Sequence, residues 1–566
     1  MNNLRILDGV AVSSGIGIGK LVVIPEFDFD ISKKNINKDD IENEIKKVED
    51  TISKLIEILS NRLKDIKDEQ SEILKSHIIL LEDPVIISDI KKSIESENSN
   101  CEYSINKIFE KYYDMFFSSG DELFMERAAD LRDIKINLLT LLLGMDLFEI
   151  SSVPKNSVLY ARELTTTIAA GINPENIQGI ITKEGGATSH MAIIAKSLAL
   201  PCVVGIDNFE YSDFAIIDGE LGKVYLSPDD STIKEYKKKK EVLEKEKSIL
   251  KDYIGLESLT LCGKHIELCC NIGLESEIEK ASYGDSEGIG LFRTEFLYMN
   301  RNYAPSEDEQ FAIYKKAAQS FKNKPVIIRT LDVGGDKEIK YLGIEKEENP
   351  FLGFRAIRYC LDNISLFSMQ LRAILRASNY GNIKIMLPFI SQVSEIINSR
   401  ELISKIMIEL SEKNIPYNKD IKIGVMIETP SAALMASQIA KYSDFFSIGT
   451  NDLTQYTMAV DRGNQSVSKI YSDYQPAVLN SIFNISKAAK LHNIPCGICG
   501  ESASNPILTK FFIAIGITEL SMANSSILNI KRIIRNTDYK LVKSKVETGI
   551  ANLVDINDTI DFLKKL

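Results

Sequence analysis

The chain has 566 residues, 44% of them hydrophobic and 26% charged, which describes soluble globular domains with buried cores, two to four in number. A formal net charge of −12 excludes a broad basic surface for nucleic acid, yet leaves room for a small anionic substrate held by local arginines. The 8 cysteines are scattered, as reduced thiols would be, rather than spaced as a disulfide framework. The most apolar stretch, Leu138 to Phe148, is broken by Thr140 and Asp146 and is too short to span a bilayer. Met1 is followed by Asn-Asn-Leu-Arg, without a charged-then-apolar leader, so a cytoplasmic protein is expected.

Val10 to Ile24 is apolar and punctuated by Gly15, Gly17 and Gly19, which predicts strand and turn. Ile41, Ile45, Val48, Ile52, Leu55, Ile56 and Leu59 then recur at three- and four-residue steps, the pattern of an amphipathic helix. Similar periodicity runs to about Leu147, with Pro84 as a break, and predicts a helical bundle. Short strands return at Ser157–Tyr160, Gly179–Thr182, Cys202–Gly205 and Ala215–Asp218. The bundle (26–147) is therefore an insert in a discontinuous α/β domain (1–25 and 148–228). A charged helical linker (229–258) follows, with a capping box expected at Thr232 and Glu235.

From 259 to 566, eight apolar runs alternate with helical stretches: Ile266–Asn271, Gly288–Arg293, Pro325–Asp332, Ile383–Pro388, Ile421–Glu428, Phe445–Asp452, Ile494–Glu501 and Glu519–Ala523. Continuous apolar strands separated by helices predict a parallel sheet covered on both faces, and eight of them a (β/α)8 barrel. The expected fold class is thus a multidomain α/β protein: an α/β domain carrying a helical insert, then a C-terminal barrel.

Two places carry chemistry. At Lys183-Glu-Gly-Gly-Ala-Thr-Ser-His190, a glycine turn leads into an apolar helical stretch, which puts His190 near a helix N-terminus that favours an anion. His190 is a candidate phosphoryl-carrying nucleophile. Of the other histidines, His77 lies in the helical insert and is expected to face a partner. On the barrel rim, Arg293, Arg329, Glu428, Asn451, Asp452 and Cys499 end predicted strands, and Arg462 follows soon after. Convergent guanidinium forks suit phosphate and carboxylate, and Glu428 with Asp452 offers hard oxygens to Mg²⁺. A lone strand-end arginine is more often a salt-bridge partner; the joint occurrence on one rim points to a small phosphorylated acid bound through a metal. Cys496-Gly-Ile-Cys499 has zinc-like spacing but no second Cys or His pair nearby.

These segments resemble enzyme I of the bacterial sugar phosphotransferase system. The resemblance rests on Gly9-Val-Ala-Val-Ser-Ser-Gly-Ile-Gly-Ile-Gly-Lys20, Glu126-Arg-Ala-Ala-Asp-Leu-Arg-Asp133, the His190 segment and Gly288-Ile-Gly-Leu-Phe-Arg-Thr-Glu-Phe-Leu297. It continues through Ile328-Arg-Thr-Leu-Asp-Val-Gly-Gly-Asp-Lys337, Asn349-Pro-Phe-Leu-Gly-Phe-Arg-Ala-Ile-Arg358, Gly449-Thr-Asn-Asp-Leu-Thr-Gln455 and Gly497-Ile-Cys-Gly-Glu501.

The resemblance implies phosphoenolpyruvate bound in the barrel by Arg293, Arg329 and Arg462, assisted by Asn451, with Lys337 adding positive charge. It implies Mg²⁺ on Glu428 and Asp452, His190 as the phosphorylated nucleophile and Cys499 as the proton donor that makes pyruvate. The acceptor would be the phosphocarrier protein HPr, docked on the helical insert, and the oligomer a homodimer through the barrel. The α/β domain would swing between barrel and acceptor about the charged linker. Pyruvate phosphate dikinase and phosphoenolpyruvate synthase are disfavoured, since the chain has no room for a large nucleotide-binding domain. Two positions depart from the family pattern, Ala187 and Lys196, both where arginine is usual; neither removes a residue the chemistry needs.

Overall fold

A computed structural model of the chain describes residues 4–25, 29–63, 71–117, 122–184, 195–196, 198–207, 209–299, 301–335, 339–464 and 466–566. The chain forms two compact units, Met1–Lys247 and Ser248–Leu566.

The first unit is built on a mixed sheet of β1 (Arg5–Asp8), β2 (Val10–Ser13), β3 (Ile16–Val23), β4 (Ser157–Ala161), β5 (Ile177–Thr182), β6 (Cys202–Val204), β7 (Phe214–Asp218) and β8 (Lys223–Leu226). Their order is β1-β8-β7-β3-β4-β5-β6-β2. β3 pairs in parallel with β4, although more than a hundred residues separate them along the chain. The helical segment is thus an excursion from one sheet. Gly19 in β3 has a packing reason: a Cβ there would lie 2.0 Å from the Asn156 carbonyl oxygen.

Between β3 and β4 come helices Ile41–Leu63, Ser71–Leu81, Pro84–Glu97, Cys101–Phe117 and Glu122–Leu142. Val48, Ile52, Leu55 and Leu59 form the buried stripe of the first, packed on Ile90, Ile94, Ile105, Leu131 and Leu138. Pro84 opens its helix rather than merely breaking a pattern. Its missing N–H is one a first turn leaves unpaired anyway, and Asp83 Oδ1 accepts from the Val85 amide at 2.7 Å.

The structure corrects two expectations here. His77 is not on the surface of the insert: its side chain is fully buried, with Nε2 2.9 Å from Asp130 Oδ1 and Nδ1 3.3 Å from Thr167 Oγ1. It ties the helical insert to the segment after β4. The charged helix spans Asp230–Lys251 and is capped by Asp229, whose Oδ1 accepts from the Thr232 amide at 2.8 Å; Thr232 is already helical. The aspartate wins because a carboxylate at the N-terminus meets both the free amides and the helix dipole.

The second unit is a closed, all-parallel barrel of β9 (Glu267–Ile272), β10 (Ile289–Arg293), β11 (Pro325–Arg329), β12 (Asn382–Leu387), β13 (Lys422–Ile427), β14 (Phe446–Ile448), β15 (Cys496–Ile498) and β16 (Glu519–Met522), with β16 pairing to β9. Strand alternation divides the side chains. Leu268, Phe292, Ile328, Ile385, Val425 and Ile448 pack outward under the helices, while Leu291, Ile327, Met386, Met426, Phe445 and Cys499 form a separate interior cluster. The expected strand Phe445–Asp452 ends at Ile448. Thr450–Met458 is a helix, so Asn451 and Asp452 sit in a helical first turn rather than on a strand.

Candidate active site at the barrel mouth

Arg293 and Arg329 close strands β10 and β11 and are register partners. Arg329 is buried; its Nη2 lies 2.6 Å from Glu295 Oε1 and 3.2 Å from Asp332 Oδ2. Burial alone would lower its pKa, but Glu295 and Asp332 overcome that and raise it, so the guanidinium stays charged. Its Nε has no hydrogen-bond partner among the described residues, and the group keeps a donor in reserve.

Asp332 leads to a further arginine that no predicted strand end marks. Arg355, almost wholly buried, donates to Asp332 Oδ1 at 3.0 Å, to Asp452 Oδ2 at 3.2 Å and to the Tyr456 hydroxyl at 3.0 Å. Its guanidinium carbon lies 4.4 Å from the Phe389 ring centroid, and that of Arg358 5.0 Å from the same ring. Arg462 then approaches the other oxygen of Asp452, Nη1 to Oδ1, at 3.9 Å. Glu295, Arg329, Asp332, Arg355, Asp452 and Arg462 thus form one chain of alternating charge. Arg355 lies outside any strand, in a loop where periodicity carries no signal; its place in the Asn349–Arg358 motif could have flagged it.

Glu428 follows β13 and is buried, with Oε1 accepting from the Phe389 amide at 2.6 Å. Phe389 has φ of 55°, which is unusual for a bulky residue and turns its N–H toward the carboxylate. Burial, together with Asp452 and Asp332, pushes the Glu428 carboxyl up to about 8, against the pull of Arg329 and Arg355. Gly449 makes room for the other oxygen: a Cβ there would stand 2.7 Å from Glu428 Oε2. Glu428 and Asp452, near enough to repel each other's charge beside a glycine that leaves room, offer hard oxygens that suit a divalent cation.

Asn451 and Glu501 bond reciprocally: Asn451 Nδ2 donates to Glu501 Oε1 at 3.1 Å, and the Glu501 amide donates to Asn451 Oδ1 at 3.0 Å. Cys499 is 2% exposed. Its amide and thiol both donate to the Ile448 carbonyl, at 3.1 and 3.6 Å, and Asn271 Nδ2 donates to its carbonyl at 3.2 Å. Burial pushes the thiol up to about 12, so it holds its proton at neutral pH. Arg293, Arg329, Glu428, Asn451, Asp452, Arg462 and Cys499 all belong to one end of the barrel, the C-terminal ends of its strands. His190, Lys337 and Ala187 lie outside the described residues; Lys196 is exposed. Among the described residues, no helix is long and apolar enough to cross a membrane.

Three family models match in order: the N-terminal region of PEP-utilising enzymes over residues 8–127, their mobile domain over 153–222 and their PEP-binding domain over 244–539. Curated relatives match along nearly the whole chain. The phosphoenolpyruvate-protein phosphotransferase of Priestia megaterium is 38% identical over 99% of this chain and 98% of its own length. That of Buchnera aphidicola is 39% identical over 98% of each, and that of Bacillus subtilis 37% identical over 98% of this chain and 97% of its own. With its barrel, its mixed sheet and its inserted helices, the chain belongs to the phosphoenolpyruvate-protein phosphotransferase family.

Proposed function

We propose that the protein transfers the phosphoryl group of phosphoenolpyruvate to its own His190 and then to the phosphocarrier protein HPr, releasing pyruvate as the first step of sugar uptake. The observation that carries this reading is the alternating chain from Glu295 to Arg462 around Glu428, beside a thiol that keeps its proton. Phosphoryl transfer needs positioning and neutralisation of the equatorial oxygens more than covalent help from the protein. Arg293, Arg329 and Arg462, with Lys337, grip phosphate and carboxylate; Asp332, Asp452 and Glu295 hold the buried guanidinium groups in place. Asn451, fixed by Glu501, orients the substrate.

Glu428 and Asp452 would hold Mg²⁺, which supplies Lewis-acid neutralisation of the phosphate and enolate oxygens. His190 would take the phosphoryl group on Nε2 as the enolate oxygen leaves. Cys499 then gives its proton to the enolate carbon. The functional units are the phosphohistidine domain (1–25 and 148–228), the HPr-binding insert (26–147), the linker (229–258) and the substrate barrel (259–566), in a cytoplasmic homodimer joined through the barrels. The test is pyruvate release from phosphoenolpyruvate by wild type and Cys499→Ala with HPr present. Slowed release with folding intact supports the reading; undiminished release removes the thiol from it.

A further inference from the structure

The proton donor creates a problem that the barrel interior answers. When Cys499 gives up its proton, the S–H bond breaks, a C–H bond forms on the enolate carbon, and a thiolate is left in an apolar cluster with Leu291, Ile327, Met386 and Met426. Its resting partner is the Ile448 carbonyl oxygen, which accepts from a thiol and repels a thiolate. A negative sulfur in that cluster needs a donor.

Ser447 is placed to be one. It sits between Phe446 and Ile448 on β14, both packed outward, so alternation turns its side chain into the barrel. Its register partner on β15 is Gly497, which presents no side chain, and the next inward residue along β15 is Cys499. The Ser447 hydroxyl is buried, 1% exposed, and has no regular hydrogen-bond partner among the described residues. A buried hydroxyl left without a partner is a cost that native structures seldom carry without a reason. We propose that Ser447 is a positioning residue that donates its hydroxyl hydrogen to the Cys499 thiolate formed when the enolate is protonated, so that its partner exists only in that state.

A group satisfied in the product of the proton transfer and unsatisfied before it lowers the barrier differentially. The charged groups facing Cys499 are Glu428 and Glu519, which oppose the thiolate, and Arg329, which favours it; Ser447 is the neutral donor that favours it. The thiolate is afterwards reprotonated from water at the open mouth. This inference rests on the reading of Cys499 as proton donor.

The test compares wild type with Ser447→Ala and Ser447→Thr. Iodoacetamide alkylation of Cys499, followed by mass spectrometry of its peptide across pH 7 to 10, reads the thiolate directly and needs no turnover. Ser447→Ala should alkylate about tenfold more slowly at a given pH, a shift of about one pKa unit. Its kcat for pyruvate release should fall by a similar factor with KM unchanged, while Tm holds or rises because an unpartnered hydroxyl has gone. Ser447→Thr, which keeps the hydroxyl, should restore the alkylation profile. Superimposable alkylation profiles for wild type and Ser447→Ala would overturn the proposal, as would a lowered Tm with unchanged alkylation. If wild type releases no pyruvate while alkylation still shifts, the donor relationship stands and the reading of the site as phosphotransferase is what fails.

Discussion

Arg293 and Arg329 stand side by side in the register of neighbouring parallel strands, yet only Arg329 is neutralised by the protein itself. Among the described residues, Arg293 pairs with no carboxylate, and it is half-buried at the mouth. Arg329 is held in the protein's own ion pairs, whereas the charge of Arg293 is left for an anion.

That difference separates two substitutions. Arg293→Ala should raise KM for phosphoenolpyruvate at least tenfold with Tm nearly unchanged. Arg329→Ala removes the guanidinium that neutralises buried Glu295 and shares Asp332 with Arg355, and should cost about 3–5 kcal/mol of barrel stability as well. Steady-state kinetics beside thermal unfolding reads both, and equal Tm losses would contradict the distinction.

Arg355 is predicted to tolerate no simple replacement. A lysine cannot reach Asp332, Asp452 and Tyr456 together or lie flat on Phe389. Arg355→Lys should therefore lower Tm by several degrees and reduce kcat/KM. A variant with wild-type kinetics would show that the alternating chain does not position the site.

Much of this was legible in the chain and some was not, for physical reasons. The barrel strands are buried on both faces, so each reads as an apolar run, and every expected run overlaps an observed strand. Strand ends were less visible: nothing in the apolar pattern marks Gly449 as the point where a strand gives way to a helix carrying Asn451 and Asp452. Arg355 and Ser447 were silent because one lies in an irregular loop and the other is a small polar residue inside a short strand. His77 misled because a buried histidine satisfied by Asp130 and Thr167 has the same sequence signature as an exposed one.

Glu428→Gln should shift the Mg²⁺ dependence of pyruvate release at least tenfold toward higher concentration, because the amide offers one neutral oxygen where the carboxylate offered a charge. An unchanged Mg²⁺ titration would take Glu428 out of the ligand set.

At the opposite end of the barrel, Glu519 opens β16 beside Glu267 of β9, and burial followed by repulsion from Glu267 pushes it up to about 8, from 4.5. A raised carboxyl pKa means the unfolded chain ionises first. Below pH 4.5 both states are protonated and nothing is lost; between pH 4.5 and 8 stability falls; above 8 the slope flattens. At pH 7 the deficit is about 3 kcal/mol. Glu519→Gln should therefore raise Tm at pH 7 and flatten its pH dependence from 5 to 8. A pH profile parallel to wild type would place the titration elsewhere.

In the helical insert, Asp83→Ala removes the cap at Val85 and Ile86 and should cost about 1 kcal/mol. Faster amide exchange confined to the start of Pro84–Glu97 checks this; uniform exchange across the insert would contradict it.

In the proposed function, phosphate moves from phosphoenolpyruvate through His190 to a protein acceptor. Its most direct measurement is incubation with ³²P-labelled phosphoenolpyruvate and Mg²⁺, with and without HPr, for wild type and His190→Ala. Acid-labile, base-stable label is expected on wild type alone, chased onto HPr when HPr is added. Label retained by His190→Ala, or no label on wild type, would contradict it.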